Sequence, residues 1–406
     1  MMHKESSKQV VLLLGPAFVA AVAYVDPGNF AANFGAGAKY GFLLLWVLVL
    51  ANSMAALAQY TSAKVGLVTG KSLPELVAER MSRWGRRLYW AQAELVAVAT
   101  DIAEIVGGAV ALNLLFGLQL PIGGLIIGIV SMALLGVYSH HGQKYFERLI
   151  VGLLLIIPLG FFVGLVQHPP NLSGVLSGLT PRFGGQETLL LATAMIGATI
   201  MPHVVYLHSA LARDRHGKVK LSELQQYLKV TKIDVGLAML IAGTVNIAML
   251  LLAAAVLGGA TVEGFGDIFE GLSSTLGPLV AVLFAVGLLV SGLASTAVGS
   301  QAGSVIMKDL VHVPIPLWIR RLITMIPALF LLILGIDPLL LLVISQVALS
   351  FGVPFALIPL SIISSNRNIM GAHTNSRVVS VLLYTITASV AILNMALIWL
   401  MLVPGS

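Results

Sequence analysis

The stretch "AYVDPGNF", residues Ala23 to Phe30, lies inside an apolar run long enough to cross a bilayer. It places a carboxylate, a proline, a glycine and an amide in immediate succession. Proline removes a backbone donor and glycine weakens a helix, so the helix is predicted to unwind near its middle and to release carbonyl and amide groups. Asp26 then lies close to the membrane centre, where an uncompensated charge costs at least ~2.5 kcal/mol. A bound cation is the simplest counter-charge.

The composition of the chain is that of an integral membrane protein. Of its 406 residues, 58% are hydrophobic and only 10% are charged, and the mean hydropathy is +0.97, outside the range of soluble globular proteins. The absence of cysteine excludes disulfides, thiolate metal sites and thiol redox chemistry. No phosphate-binding Walker loop is present, so an ion gradient rather than ATP is the expected energy source. No cofactor and no soluble partner are implied.

Eleven predicted spans follow from the charge clusters and the Gly, Pro and Asn turns that divide the apolar runs. They cover residues 10–37, 41–64, 88–116, 121–138, 147–167, 187–213, 230–258, 275–307, 318–335, 338–364 and 378–403. With a cytoplasmic N-terminus, 21 of the 23 Lys and Arg residues lie on the cytoplasmic side or at its border, and only Lys39 and Arg182 lie outside. The C-terminus then lies outside. The net charge of +6 indicates contact with an anionic inner leaflet rather than with nucleic acid.

A second interruption is predicted in the sixth span, in "IGATIMPHVVYLHS", where Gly197 and Pro202 bracket residues Ala198 to Met201. One proline kink is usually structural, but this one lies five spans after the first, and because five is odd the two halves are inserted in opposite directions. We therefore expect a single all-α transmembrane domain, residues 1–406, with discontinuous helices 1 and 6. Its inverted repeats cover about 10–167 and 187–364, and an extra helix covers about 378–403.

The side chains at the two breaks predict a metal site. Asn29 adds a hard oxygen to the carboxylate, and the unwound turns offer the carbonyls of Ala23 and Ala198, a set that also suits Mg²⁺ or Ca²⁺. The thioether of Met201 favours softer transition-metal ions such as Mn²⁺ and Fe²⁺. The alternative for Met201 is simple packing. Gln346, in the tenth span, adds an amide oxygen in some conformations or forms only an interhelical hydrogen bond.

Acidic residues in the third span predict a proton pathway. Glu94, Asp101 and Glu104 share one helical face, and carboxylates inside an apolar bundle mark proton relays. His203 follows the second break, whereas His208 lies on a different face of that helix. A salt-bridge network without a transport role is the alternative. The predicted proton enters at Asp26, Asp101 and His203 and leaves along Glu104, Glu94, Arg320 and Arg321.

Four motifs carry a resemblance to a known family. They are "DPGNF" at 26–30, "ATDIAEIVGG" at 99–108, "MPHVVYLHS" at 201–209 and "SQVALSFGVPFALIPL" at 345–360. With them the whole chain resembles the Nramp family of divalent-metal transporters, and especially its bacterial manganese-transporting members. The resemblance implies an eleven-helix LeuT-like fold in the bacterial inner membrane and proton-coupled uptake of Mn²⁺, with Fe²⁺, Co²⁺ and Cd²⁺ also carried.

The resemblance also implies roles for individual residues. The family's metal ligands correspond to Asp26, Asn29, Met201, the carbonyls of Ala23 and Ala198, and Gln346 in some states. Its proton-linked residues correspond to Asp101, Glu104 and His203, with Glu94, Arg215, Arg320 and Arg321 in the associated polar network. Tyr24 corresponds to a position that helps to close the inner gate.

Three other functions compete with this interpretation. A sodium-coupled carrier of amino acids or other organic solutes has the same fold, but its breaks are usually small or glycine-rich and bind a substrate carboxylate through backbone amides. A channel typically builds its filter from symmetric subunits. A membrane enzyme would need a nucleophile or a metal-bound water, and no motif for either accompanies Asp26 and His203.

Overall fold

In a computed structural model, the described residues are 15–141, 145, 148, 152–153, 155–217, 219–260, 262–313 and 316–402. They form helices joined by turns, and no strand occurs among them. The first helices are α1 (Pro16–Ala23), α2 (Pro27–Tyr40), α3 (Leu45–Thr69), α4 (Leu73–Ala78), α5 (Arg83–Phe116), α6 (Leu120–His141), α7 (Leu159–Gln167) and α8 (Leu172–Gly178). The remaining helices are α9 (Gln186–Thr199), α10 (Pro202–His216), α11 (Leu221–Val256), α12 (Phe265–Leu276), α13 (Pro278–Ile306), α14 (Leu317–Ile333), α15 (Pro338–Ser364), α16 (Arg367–Met370) and α17 (Arg377–Leu402).

Six described segments are long and apolar enough to cross a membrane by length and composition. They are Arg83–Phe116, Gln186–His216, Leu221–Val256, Pro278–Val311, Pro338–Ser364 and Arg377–Leu402. The prediction of an all-helical, multi-pass membrane protein is therefore confirmed. The count of eleven spans and the inverted repeat stay predictions, and much of the start of the fifth predicted span lies outside the described residues.

The first predicted break separates α1 from α2. Asp26 has extended backbone angles (φ −80°, ψ 168°), and its carboxylate accepts the backbone N–H of Asn29 at 2.8 Å, so it caps α2. Pro27 has no N–H to donate to the carbonyl of Ala23, four residues earlier. The helix therefore stops and restarts at this point.

The second break is shorter than the sequence suggested. Helix α9 continues through Ala198 to Thr199, so only Ile200 and Met201 separate it from α10. The reason is that a proline removes only its own bond to the carbonyl four residues back, here that of Ala198, and the preceding residues still bond backwards along the helix.

Two other helix boundaries differ from the predicted spans. Helix α5 begins at Arg83, five residues before the predicted span, because the hydroxyl of Ser82 accepts the N–H of Gly85 at 3.2 Å and caps it. Helix α12 begins at Phe265, before the predicted span 275–307, and at its start the Asp267 carboxylate accepts the N–H of Gly264 at 3.0 Å. Both helix starts depend on short capping contacts rather than on hydropathy.

Helix α15 passes directly against both breaks, and only glycine leaves room for it. A Cβ atom on Gly28 would lie 1.8 Å from Nε2 of Gln346, and one on Gly197 would lie 2.0 Å from the Gln346 carbonyl oxygen. Because Gly28 and Gly197 belong to different broken helices, this close contact brings the two breaks and Gln346 together.

Replacing Gly197 with alanine is expected to lower the thermal unfolding temperature of the purified protein. The added methyl group meets the backbone of α15, which cannot rotate away, and overpacking of this kind costs roughly 1–3 kcal/mol. Gly35→Ala is the matched control, since its Cβ would meet nothing within 4 Å. Equal unfolding temperatures for the two variants would contradict the packing argument.

Candidate functional site

The side chain of Asn29 joins the two breaks. Its Nδ2 donates to Oδ1 of Asp26 at 2.7 Å and to the carbonyl oxygen of Ala198 at 3.1 Å. Asp26 and Asn29 belong to the first break, and Ala198 belongs to the last turn of α9. All three residues are fully buried. The site thus combines a carboxylate, an amide and a freed carbonyl in the interior of the bundle.

Gln346 reaches the same place from α15. Its Nε2 lies 3.4 Å from Oδ2 of Asp26 and 3.2 Å from the hydroxyl of Ser345. The side-chain oxygens of Asn29 and Gln346 are buried and have no hydrogen-bond partner among the described residues. Leaving a buried oxygen without a hydrogen bond lowers the free energy of unfolding by about 1–3 kcal/mol. Rotation of either amide exchanges its nitrogen and oxygen, which occupy nearly the same volume, and would turn an oxygen towards the carboxylate, where a cation needs it.

The backbone of the first break is fixed by two neighbouring helices. The Tyr24 carbonyl accepts Nδ2 of Asn246, in α11, at 2.7 Å, and the Val25 carbonyl accepts the hydroxyl of Ser291, in α13, at 2.5 Å. These two supporting residues were missed in the sequence, where they are single polar residues in apolar spans. The Ala23 carbonyl, whose helical partner is replaced by Pro27, stays a predicted ligand.

Met201 is the fourth predicted side-chain ligand. It is the residue directly before α10 and is fully buried. Among the described residues, no group of three or more His, Cys, Asp or Glu side chains is arranged to hold a metal ion. Asp26 is therefore the one carboxylate available at the two breaks, and the Met201 thioether stays a predicted ligand.

Two consecutive arginines of α14 lie against the acidic face of α5. Nη1 of Arg321 is 2.6 Å from Oδ1 of Asp101 and 3.8 Å from Oε2 of Glu104, and all three side chains are buried. Nη2 of Arg320 is 3.0 Å from Oε1 of Glu94. Both Glu104 carboxylate oxygens have no hydrogen-bond partner among the described residues, so Glu104 depends on the nearby guanidinium for its stabilisation.

His203 is buried and is the second residue of α10. Its Nδ1 lies 3.5 Å from the hydroxyl of Thr100, which immediately precedes Asp101 in α5. Its Nε2 is buried without a hydrogen-bond partner in the described part of the chain. His203 therefore lies between the second break and the acidic face of α5.

On one side of the site, a chain of polar side chains closes the space between three helices. Gln59, in α3, donates to the hydroxyl of Tyr24, and its Oε1 is 2.7 Å from Nδ1 of His208. All three side chains are buried. No role was predicted for Gln59 or His208, because neither lies in a break or on the acidic face.

Further from the site on that side, Arg213 at the end of α10 binds two other segments. Its Nη1 is 2.6 Å from Oε2 of Glu75, in α4, and 3.0 Å from Oδ2 of Asp309, in the π-helical turn after α13. The Ser72 hydroxyl donates to the same Asp309 oxygen at 2.7 Å. Arg215 lies in the same last turn of α10, and its proton-network role stays a prediction. The Arg213 side of the bundle is therefore closed.

The opposite side of the bundle is open. A cavity of about 580 Å³, called the vestibule here, reaches Ala31 and Gly35 in α2, one to two turns beyond the first break. Its charged lining consists of Lys39, Glu187, Glu263 and Asp337. Lys39 and Tyr40, at the end of α2, both bond the Glu187 carboxylate at the start of α9. The three acids make the mouth attractive to cations.

Comparison with known proteins identifies the family. The model of the family described as "Nramp: Natural resistance-associated macrophage protein-like" matches residues 17–400. The chain belongs to the Nramp family. Among its Nramp relatives, the divalent metal cation transporter MntH of Mycobacterium tuberculosis is 55% identical over 404 residues, covering 98% of this chain and 93% of the relative. MntH of Bacillus subtilis is 43% identical over 388 residues, covering 95% and 91%.

Solved structures support the same Nramp assignment. The Eremococcus coleocola manganese transporter, in complex with an aromatic bis-isothiourea compound, matches with a TM-score of 0.87 and 29% identity, covering 98% of this chain and 89% of that one. Mhp1, a nucleobase-cation-symport-1 family transporter, matches with a TM-score of 0.62 and 14% identity, covering 96% and 94%. The second likeness concerns the fold alone. The relatives are named as transporters, as the sequence analysis expected, and not as enzymes.

Proposed function

We propose that this protein imports divalent transition-metal ions, chiefly Mn²⁺ and also Fe²⁺, Co²⁺ and Cd²⁺, together with protons. The observation that carries the proposal is the Asn29 amide, which bridges the Asp26 carboxylate and the Ala198 carbonyl where the two broken helices meet. The names of the relatives, divalent metal cation transporter and manganese transporter, support it. The proposed ligands are Asp26, Asn29, Met201, the Ala23 and Ala198 carbonyls and, in some states, Gln346.

The proposed architecture is an eleven-helix, LeuT-like domain of two inverted repeats, about 10–167 and 187–364, with an extra helix at about 378–403. The likeness to Mhp1 supports the fold. In the bacterial inner membrane, the excess of Lys and Arg favours a cytoplasmic N-terminus and an outside C-terminus. In that orientation the vestibule faces outside and the Arg213 side faces the cytoplasm, while Asp26 is fully buried and does not line the vestibule.

The proposed transport cycle begins at the vestibule. Its three acids concentrate cations. An opening beside Ala31 then admits the ion to the buried Asp26 site while the Tyr24, Gln59 and His208 side chains block the cytoplasmic exit. Release requires that this block, and the Arg213 contacts beyond it, separate as α1 and α10 move. An inside-negative membrane potential assists entry by about 2.3 kcal/mol per charge per 100 mV, and a divalent ion gains twice that.

The proposed proton route runs beside the metal route. Protons enter at Asp26, Asp101 and His203 and leave along Glu104, Glu94, Arg320 and Arg321, with Arg215 in the associated network. The buried contacts of Arg321 with Asp101 and Glu104 support a shared charge network, because adding a proton to either acid changes the net charge that the guanidinium balances. A sodium-coupled organic-solute carrier is not favoured, since an acid and a thioether at the breaks suit a metal ion better than a substrate carboxylate.

Met201→Ala is expected to reduce metal selectivity more than metal transport. The variant keeps every oxygen ligand but removes the thioether, the one donor that favours transition metals over Ca²⁺. The measurement is Mn²⁺ uptake into proteoliposomes under an inward pH gradient, with and without excess Ca²⁺. Ca²⁺ should inhibit the variant and leave the unaltered protein nearly unaffected.

Met195→Ala is the control for loss of a buried methionine in the same broken helix, since Met195 lies in α9 more than one turn before the break. It should keep the selectivity for Mn²⁺. If Met201→Ala discriminates against Ca²⁺ as well as the unaltered protein does, Met201 only packs and is not a ligand. If the unaltered protein carries no Mn²⁺ under a pH gradient, the proposed function is wrong.

A further inference from the structure

A second cavity lies on the outer surface of the helical bundle, on the Arg213 side and away from the metal site. It has a volume of about 410 Å³ and is enclosed by α4, the turn after it, the start of α5 and the last turns of α15. Its walls are apolar, with Val77, Phe355, Ile358 and Ile362 among them. We call this cavity the lipid groove, and from its position and chemistry we infer that it binds one anionic phospholipid.

The apolar walls of the lipid groove match an acyl chain. Phe355, Ile358 and Ile362 are 47%, 47% and 50% exposed and lie on the outer face of a predicted transmembrane helix. From Phe355 to Ile362 the groove follows seven residues of helix, or about 10 Å at 1.5 Å per residue. The described residues that line the groove are apolar except for Arg80 and Tyr89, at its two ends. In a membrane, hydrocarbon therefore fills the space between them.

The end of the groove at Tyr89 and Phe355 is closed by hydrogen bonds between helices. The Tyr89 hydroxyl donates to the Phe355 carbonyl at 2.5 Å and lies 2.6 Å from the Tyr206 hydroxyl, so it joins α5, α15 and α10. Since these contacts are internal to the protein, the groove keeps its shape without a ligand. A preformed groove binds a chain with less loss of conformational freedom than a flexible surface does.

The opposite end of the groove, just after α4, carries a positive charge. Arg80 lines the cavity, and its Nη1 donates to the Leu76 carbonyl at 2.6 Å, which fixes the guanidinium at the end of α4. Among the described residues, no acid forms an ion pair with Arg80. A guanidinium at this place offers its remaining N–H groups to a phosphate.

The surroundings of Arg80 indicate the depth of a lipid headgroup. Trp84, at the start of α5, is 73% exposed, and the Arg87 guanidinium lies 5.4 Å from its ring. Exposed tryptophan beside arginine is typical of the membrane–water interface, and basic clusters on the cytoplasmic side attract anionic lipids. The acyl chain then runs inwards along α15 while the phosphate stays at Arg80.

Native mass spectrometry tests the site independently of transport. The purified full chain is released from nanodiscs that contain phosphatidylcholine and phosphatidylglycerol, and the retained lipids are identified. One phosphatidylglycerol should be retained in preference to phosphatidylcholine. Arg80→Ala should reduce its retention about fivefold, the change that corresponds to ~1 kcal/mol for a basic group at a membrane surface. Arg83→Ala, which removes the same charge from a residue outside the cavity lining, should leave retention unchanged.

A second variant tests the groove itself. Ile358→Trp fills the apolar wall without altering charge and should abolish retention of the lipid, whereas Ile344→Trp, at another exposed position of α15, should not. Equal losses for Arg80→Ala and Arg83→Ala, or equal retention of the two lipids, would mean diffuse surface attraction and overturn the proposal. Mn²⁺ uptake that survives in these variants leaves the proposed transport function intact whichever way the lipid result falls.

Discussion

Asp26→Asn is expected to reduce Mn²⁺ uptake by at least ~100-fold while leaving the protein folded, since losing one partner of a buried charge pair costs roughly 3–5 kcal/mol. Asparagine caps a helix about as well as aspartate, so the contact that begins α2 at Pro27 survives the change. Only the charge is lost, and it is the one carboxylate that the two breaks supply. The measurement is initial Mn²⁺ uptake into proteoliposomes, with binding to the purified protein measured by calorimetry.

Asp337→Asn provides the matched control for Asp26→Asn. Asp337 caps α15 through a bond from the Leu340 N–H at 2.7 Å and lines the vestibule rather than the site. The same chemical change should therefore keep most of the uptake, with a loss confined to low salt, where long-range attraction counts. Uptake by Asp26→Asn within twofold of the unaltered protein would place the metal site elsewhere.

The breaks are predictable from the sequence because their cause is local. Pro27 and Pro202 each remove one backbone donor, and this effect does not depend on the rest of the fold. The length of the second break was overestimated because glycine at 197 was interpreted as unwinding. In the structure Gly197 stays helical, and its missing side chain admits α15. A glycine in a membrane helix can either weaken the helix or leave room for a neighbouring helix, and the sequence alone does not distinguish these two roles.

The closed side of the site was not predictable in the same way. Gln59 is 35 residues from Tyr24 and 149 residues from His208 in the sequence, and Arg213 is 138 residues from Glu75. Contacts between such distant residues depend on how the helices pack, and no local pattern marks them. One long-range contact, that between Asp234 and the start of α1, did have a signal in the sequence. Asp234 is an acid in the seventh predicted span, and its carboxylate accepts the N–H groups of Gly15 at 3.2 Å and Ala17 at 3.1 Å at the start of α1.

Asp234 also bears on how the protein opens. Helix α1 has eight residues, too few for an isolated helix to be stable in water. It is held by the Asp234 carboxylate at one end and by the bonds to Tyr24 and Val25 at the other. A short element fixed at its two ends by a few polar contacts moves as a unit when those contacts break, which fits α1 as the part that opens towards the cytoplasm.

Arg321→Gln is expected to lower the unfolding temperature of the purified protein by more than any other single change discussed. It leaves Asp101 and Glu104 buried without their guanidinium, and removal of one partner from a buried ion pair costs about 3–5 kcal/mol. Thermal unfolding of the purified protein in detergent measures the loss.

The triple variant Arg321→Gln, Asp101→Asn, Glu104→Gln separates stability from proton transfer. With no charge left in the cluster, the unfolding temperature should return towards that of the unaltered protein, because neutral amides need only hydrogen bonds. If the cluster is a proton pathway, an inward pH gradient should not accelerate Mn²⁺ uptake by the triple variant. A triple variant that is stable and responds to the gradient as the unaltered protein does would show that the cluster is a structural salt bridge, and the proton route would have to run elsewhere.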